Sequence, residues 1–262
     1  MSAELRELAE AVAREAGAQL LEAFGGPALE VEAKSTPTDL VSAADKAAEE
    51  LIVGRISAAR PGDGFLGEEG ADEAGSSGLR WIVDPLDGTA NFLFGLPQWA
   101  VSIAVEDETG VIAGVVYDPP RGELWAAERD GPPLLDGRPV RGSRRDELAT
   151  ALIATGFGYD ADVRRAQAAT VAALLPQVRD IRRLGSCALD LCHLAEGSVD
   201  AYVEEGVNLW DYAAGAFIAT QAGARWEMHP GAYGTGALVA APAHGFDEFL
   251  AAVRDAGFLA RL

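Results

Sequence analysis

The stretch that most limits what this chain can fold into is Trp81-Ile82-Val83-Asp84-Pro85-Leu86-Asp87-Gly88-Thr89-Ala90-Asn91-Phe92. Its opening residues are uncharged β-formers, which predicts a buried strand ending at Asp84. Pro85 holds the residue before it extended. Gly88 permits a sharp turn, and Thr89 is suited to open a short helix. Two carboxylates on either side of such a bend can face one space, and oxygen ligands on a rigid strand end suit a hard cation such as Mg²⁺. The helix start beyond them offers N–H groups to an anion. An ordinary acidic turn would look the same, so the rest of the chain has to decide between them.

Charge sharpens the question. With 21 Lys and Arg against 41 Asp and Glu, the net charge is −20. Such a field repels nucleic acid and anionic membranes. It would repel a phosphorylated metabolite too, unless bound cations invert the local field. The 262 residues suffice for one large domain or two small ones. No apolar run is long enough to span a bilayer, and the N-terminus reads as an amphipathic helix, not a signal peptide. Cys187 and Cys192 lie five apart on a predicted helix, face different directions and are not expected to bridge. That usage suits a reducing cytoplasm.

Periodicity predicts a helix over 4–24 with Leu5, Leu8, Val12, Ala16, Leu20 and Phe24 on one face, stopped by Gly25-Gly26-Pro27. A short strand over 29–33 and a mobile Ser/Thr/Pro loop over 34–39 follow. A second helix is expected over 42–59, with Ala44, Ala47, Leu51 and Ile52 inward and Asp45 in its first turn. Residues 65–67 read as a strand ending at Glu68 and Glu69, and 70–79 as a surface loop. Strands over 99–106, 111–117 and 122–127 form an antiparallel meander, with a hairpin turn at Asp136-Gly137. The pattern changes near 145. Beyond it come a strand passing into a loop over 152–156, a helix over 162–175, a helix capped by Ser186, a strand over 199–203 and a helix over 210–222. Strands over 224–228 and 237–240 and a final helix over 246–255 complete the chain. This mixture predicts a layered α/β or α+β architecture, divided at 1–145 and 146–262 within one compact unit.

Glu68, Asp84, Asp87 and Asp211 each fall at an element boundary, with Asp45 a fifth, and sites in α/β folds form at strand ends. Gathered in one pocket they would repel by roughly 4 kcal/mol for a pair ~4 Å apart at an effective dielectric of 20. Such a cluster persists only by binding cations or protons.

Here the chain resembles a known family. Asp84-Pro85-Leu86-Asp87-Gly88-Thr89, Gly67-Glu68-Glu69 and Trp210-Asp211-Tyr212-Ala213-Ala214-Gly215 match signatures of the inositol monophosphatase family, as does Lys34-Ser35 with Asp39-Leu40-Val41 and Asp45. The resemblance spans nearly the whole chain. It implies a layered αβαβα fold and a Mg²⁺-dependent phosphomonoesterase, usually dimeric and often Li⁺-inhibited, working with two or three ions. By position it implies that Glu68, Asp84, Asp87, Asp211 and the carbonyl of Leu86 bind metal. Glu68 and Thr89 would orient the attacking water, with Asp45 assisting. Gly88 and Thr89 would seat phosphate, and the 34–39 loop would close over the site.

For the substrate, the resemblance matches Gly185, Ser186 and Cys187 to ring contacts and Glu204 to a polyol-binding acid, with Glu205 an open rival. Asn208 and Ala90 depart from common family residues. The first expectation is hydrolysis of myo-inositol 1-phosphate. Fructose 1,6-bisphosphate, histidinol phosphate and 3′-phosphoadenosine 5′-phosphate follow, and a non-catalytic Mg²⁺-binding regulator is the reading from another class. His193, His229 and His244 are scattered and read as structural.

Overall fold

The computed structural model describes residues 1–24, 31–33, 40–145 and 147–260. The expected stop at 25–27 and the 34–39 loop lie outside them. Helix α1 (Ser2–Ala23) buries Leu5, Ala9, Val12, Ala13, Ala16 and Leu20, the three-to-four spacing of a one-faced helix. Strands β1 (Val31–Ala33) and β2 (Leu40–Ser42) pair antiparallel, and α2 (Ala43–Ala59) follows directly. Strand β3 (Gly64–Gly67) pairs with the short β4 (Asp72–Glu73) and runs parallel to β5 (Arg80–Asp87). After α3 (Thr89–Leu93) comes a meander of β6 (Ala100–Asp107), β7 (Gly110–Asp118) and β8 (Glu123–Glu128). The β9 (Leu134–Leu135) and β10 (Arg138–Pro139) hairpin turns at Asp136 and Gly137, with φ of 48° and 74°. Together these make an eight-stranded sheet ordered β10-β9-β8-β7-β6-β5-β3-β4.

The second half supplies β11 (Leu152–Thr155), α4 (Ala161–Leu174), β12 (Asp180–Arg182), α5 (Cys187–Glu196) and β13 (Ala201–Glu205). Helix α6 (Leu209–Gln221), β14 (Ala224–Pro230), β15 (Gly236–Pro242) and α7 (Phe246–Ala256) complete it. Its strands form a five-stranded sheet ordered β12-β11-β13-β15-β14.

Side-chain alternation stacks these parts. In β5, Trp81 and Val83 point to one face of the first sheet, where they meet Leu5 and Leu20 of α1 and Ile52 of α2. Ile82 points to the other face, against a core shared with α5, α6 and Tyr202 of β13. Beyond the second sheet, Val203 and Val239 pack on Leu174 of α4 and on Phe249 and Val253 of α7. The layers are therefore α, β, α, β, α. Because both faces of the first sheet are covered, β5 and β6 are buried at consecutive residues, Trp81 to Leu86 and Ala100 to Val105, instead of alternating buried with exposed.

Three expectations need correction. The strand expected to end at Asp84 runs on to Asp87: Asp84 pairs with Ser102 and Asp87 with Ala100, so three steps on β5 oppose two on β6. The forced bend is a bulge, and the turn comes at Gly88. The inward face of α2 is Asp45, Ala48, Glu49, Ile52 and Ile56; Ala44, Ala47 and Leu51 are only half-buried. A reading that seeks apolar residues misplaces a helix face that buries carboxylates. The loop expected over 70–79 contains β4, and β12 was not expected; both are too short to show a period.

Candidate active site

A cavity of about 500 Å³ opens where β3, β5 and the N-terminal turns of α5 and α6 meet. Glu68, Asp84, Leu86, Asp87, Gly88, Thr89, Gly185, Cys187, Glu204 and Asp211 line it. Oxygens of Glu68, Asp84 and Asp211 lie within 4.8 Å of one another, and Glu68 also groups this closely with Asp45 and Glu69. Chain segments far apart in sequence thus converge on one acidic centre. A cavity of about 450 Å³ elsewhere, between Pro132, Arg141, Leu194 and Pro242, has no carboxylate in its wall.

The bulge explains the placement of the central acids. Asp84 is 1% exposed, and its Oδ1 accepts the Leu86 N–H at 3.0 Å across Pro85. Burial, then Glu68, Asp87, Asp211 and Asp45, hold its carboxyl well above the usual carboxylate range. Asp87 reaches the middle layer, where its Oδ2 accepts from the Ser186 hydroxyl at 2.6 Å and the Ala188 N–H at 2.7 Å. Ser186 also caps α5 by accepting the Leu189 N–H at 3.2 Å. Burial pushes Asp87 up to about 7; the two bonds from α5 pull it down, and the charges of Glu204 and Glu68 raise it further. Asp211 accepts the Asn208 N–H at 2.6 Å in a capping box at the start of α6. Burial, then Asp87, raise it well above its ordinary value.

Gly88 has φ of 100°, and a Cβ there would meet the Gln98 carbonyl at 2.9 Å, so the turn requires glycine. It delivers Thr89, whose hydroxyl lies 3.0 Å from the Leu86 carbonyl and 3.3 Å from Asp45 Oδ2. The one hydroxyl proton is directed at those acceptors, which leaves the oxygen lone pairs to accept from a water. Asp45 is fully buried on α2.

On the far wall, Glu204 Oε2 accepts the Tyr202 hydroxyl at 2.8 Å. Its carboxylate lies against the position where Gly156 has no side chain: a Cβ at 156 would clash with the carboxylate carbon and both its oxygens. Burial raises Glu204, while Tyr202 and Arg183 counter that rise. The rival Glu205 is held by the Tyr233 N–H at 2.8 Å and by Thr235 at 3.2 Å, although it too borders the cavity. Ser186 is 2% exposed and does not line the cavity; its hydroxyl lies beneath Asp87. Cys187 reaches the wall, and burial raises its thiol well above the ordinary range. Both cysteines are free and buried. Asn208 lines the rim.

Sequence reading missed Arg183 and residues 157–159 of the wall, Gly156 and Tyr202 against Glu204, and Asn91, whose Nδ2 ties α3 to the Leu184 carbonyl at 2.9 Å. The glycines of the Gly-Phe-Gly-Tyr run at 156–159 were the one available hint, since glycine suits places where another group must approach the backbone closely.

The donor set fits a hard divalent cation: it is all oxygen, closely grouped and, by the raised acids, proton-hungry when no cation is bound. No helix among the described residues is long and apolar enough to cross a membrane.

The inositol monophosphatase family pattern matches residues 1–257. An inositol-1-monophosphatase SuhB of Mycobacterium tuberculosis is 45% identical over 273 residues, covering 96% of this chain and 94% of the relative. A Nus factor SuhB of Xylella fastidiosa is 42% identical over 186 residues, 71% of this chain and 67% of that one. The crystal structure of the extragenic suppressor protein suhB from Bartonella henselae superposes with a TM-score of 0.88 at 35% identity, over 96% of this chain and 98% of that one. With the pattern running almost end to end on a matching fold, this chain belongs to the inositol monophosphatase family and is a phosphatase.

Proposed function

We infer that the chain hydrolyses a small phosphate monoester with the aid of Mg²⁺, and that myo-inositol 1-phosphate is its first substrate. The observation that carries this reading is the convergence of Glu68, Asp84 and Asp211 around a cavity whose opposite wall presents Glu204. The relatives named inositol-1-monophosphatase support the choice of substrate.

In this reading Glu68, Asp84, Asp87, Asp211 and the Leu86 carbonyl hold the metal, two or three ions in all. When bound, Mg²⁺ neutralises phosphate charge and lowers the pKa of a coordinated water. The protein's own groups do the rest. The Leu86 carbonyl has a second lone pair, so accepting from Thr89 does not remove it as a ligand. Asp45 draws the Thr89 proton away from the cavity, and the Thr89 oxygen then accepts a proton of the attacking water and aims its lone pair at phosphorus. Thr89 holds that proton only by a hydrogen bond; Glu68 takes the other as the water oxygen bonds to phosphorus, the ester P–O bond breaks, and the departing alkoxide takes up a proton from solvent. The N–H groups of the first turn of α3, beginning at Gly88 and Thr89, lack helical acceptors and seat phosphate oxygens. Glu204 accepts from hydroxyls of the polyol, with Gly185 and Cys187 beside it and Ser186 supporting Asp87 from below.

Sensitivity to Li⁺, a homodimer and a cytoplasmic setting complete the proposal. Phe94 and Leu96 are 78% and 53% exposed on the loop after α3, apolar surface that a second copy would cover. The free, buried thiols suit a reducing compartment. The second reading is a non-catalytic Mg²⁺-binding or regulatory protein; some relatives carry the name Nus factor instead of phosphatase.

A phosphate-release assay decides between them. The panel is inositol 1-phosphate, fructose 1,6-bisphosphate, histidinol phosphate and 3′-phosphoadenosine 5′-phosphate, each with and without Mg²⁺ and Li⁺. Mg²⁺-dependent turnover, fastest on the inositol ester, is expected. Asp87→Asn should lower it by more than the ~10–100-fold typical of losing a group behind a ligand. No turnover on any substrate would leave the binding-protein reading.

A further inference from the structure

Asp45 and Glu49 stand one turn apart on α2, both buried, and they point to different parts of the site. Asp45 meets Thr89. Glu49 is 6% exposed and reaches the turn that follows β3. Its Oε2 accepts the Glu69 N–H at 2.9 Å, and its Oε1 accepts the Ala71 N–H at 3.0 Å. Gly67 lies flat against the same carboxylate: a Cβ there would fall on Oε2 and within 2.7 Å of Cδ. The turn closes on itself through the Gly67 N–H and the Ala71 carbonyl at 2.6 Å, and the Glu68 N–H is fixed to the Val83 carbonyl at 3.2 Å. Residues 67, 69 and 71 therefore wrap the Glu49 carboxylate, while Glu68 faces the cavity.

Glu68 is the one residue common to both close carboxylate groups, Asp45/Glu68/Glu69 and Glu68/Asp84/Asp211. Any shift of its backbone would disturb both. We propose that Glu49 is the positioning residue of the metal centre: its carboxylate clamps the 67–71 turn and so fixes where Glu68 stands. The proposal rests on the reading of Glu68 as a metal ligand. Glu49 does not line the cavity, and both its oxygens are engaged by N–H donors, so it organises the ligand set without joining it. Two N–H bonds to one ionised acceptor are the strong kind, and they need a residue with two equivalent oxygens. Gly67 is the second half of the device, since only the absence of a side chain lets the carboxylate approach the turn.

The test is Glu49→Gln, which keeps shape and length but turns an amide NH₂ toward one of the two N–H donors. Mg²⁺ affinity is read by isothermal titration calorimetry, and protection of the Glu69 and Ala71 amides by hydrogen exchange. The expected result is Mg²⁺ binding weakened about 10–100-fold, as for other groups that orient a ligand. Amide exchange in 67–71 should quicken, and kcat at saturating Mg²⁺ should stay within about threefold, the loss falling on metal affinity. Gly67→Ala displaces the carboxylate from the opposite side and should give the same weakening; it carries the test if Glu49→Gln does not fold. Wild-type Mg²⁺ affinity in either folded variant overturns the proposal. If the wild-type protein itself binds no Mg²⁺, the metal reading of Glu68 fails. The clamp is then judged by exchange alone, and unchanged protection at Glu69 and Ala71 overturns it.

Discussion

Asp87 receives a hydroxyl and an N–H from α5, yet burial still lifts it to about 7. Asp84, Asp211 and Glu204 are raised as well, each first by burial, so the folded protein without metal holds protons that the unfolded chain releases. A carboxyl raised in the folded state favours folding at low pH, and that stability is lost as pH climbs from the unfolded value toward the folded one. His193, depressed to about 4 by burial, acts in the opposite direction, but only below its ordinary value of 6.5. Thermal denaturation in EDTA should therefore show Tm falling between pH 6.5 and 8, and saturating Mg²⁺ should remove most of that fall. A second residue-scale prediction concerns Gly156. A methyl group there displaces the Glu204 carboxylate, so Gly156→Ala should raise KM for inositol 1-phosphate about tenfold, the value of one good hydrogen bond. Its kcat on p-nitrophenyl phosphate should not change; equal losses on both substrates would mean the wall had collapsed. The acids of the site could be picked out in the sequence because carboxylates at element ends are conspicuous. Glu49 and Gly156 could not: one acts on backbone N–H groups 20 and 22 positions away, and the other acts by lacking a side chain.

The first turn of α5 ties the middle layer to the first sheet. Ser186 caps the helix and donates to Asp87 with the same oxygen. Ser186→Ala removes both, a loss of about 1–2 kcal/mol, and should lower the Tm of the metal-free protein by a few degrees. Ser186→Thr, which keeps the hydroxyl, should recover most of it, and differential scanning calorimetry reads both. The α5 cap, the meander and the Asp136-Gly137 hairpin were legible because each depends on neighbours along the chain. The bulge in β5 was not, since Pro85 between two acids looks like a strand's end until β6 is there to pair on either side of it. The buried face of α2 was misjudged for a related reason. Glu49 is tolerated inside because the 67–71 turn engages both its oxygens, and Asp45 meets Thr89 through one of its own; those partners are remote in sequence.

At the scale of the molecule, residues of both sheets and both middle helices share one core, in which Ile82 and Val116 of the first sheet meet Leu189, Ile218 and Leu238. The halves on either side of residue 145 should accordingly unfold together: urea titrations followed by far-UV circular dichroism and by tryptophan fluorescence are expected to coincide. Two separated transitions would make 1–145 and 146–262 independent units. Composition and alternation pointed to layers, and the family resemblance to their order. The lateral order of the strands, with β13 between β11 and β15, rests on pairings between distant segments and was not readable. The stacking also restricts how the catalytic chamber can be remodelled. Its floor is the first turns of α5 and α6, which are at the same time the spacer between the two sheets. Excavating downward to admit a bulkier ester would thin the partition that keeps the sheets apart. Room can be gained cheaply only along the rim, at residues 157–159 and at Val207, where no strand, helix or cap has to be rebuilt. Among relatives with this floor plan, differences in what is accepted should collect on those two edges while the acidic basin beneath stays the same.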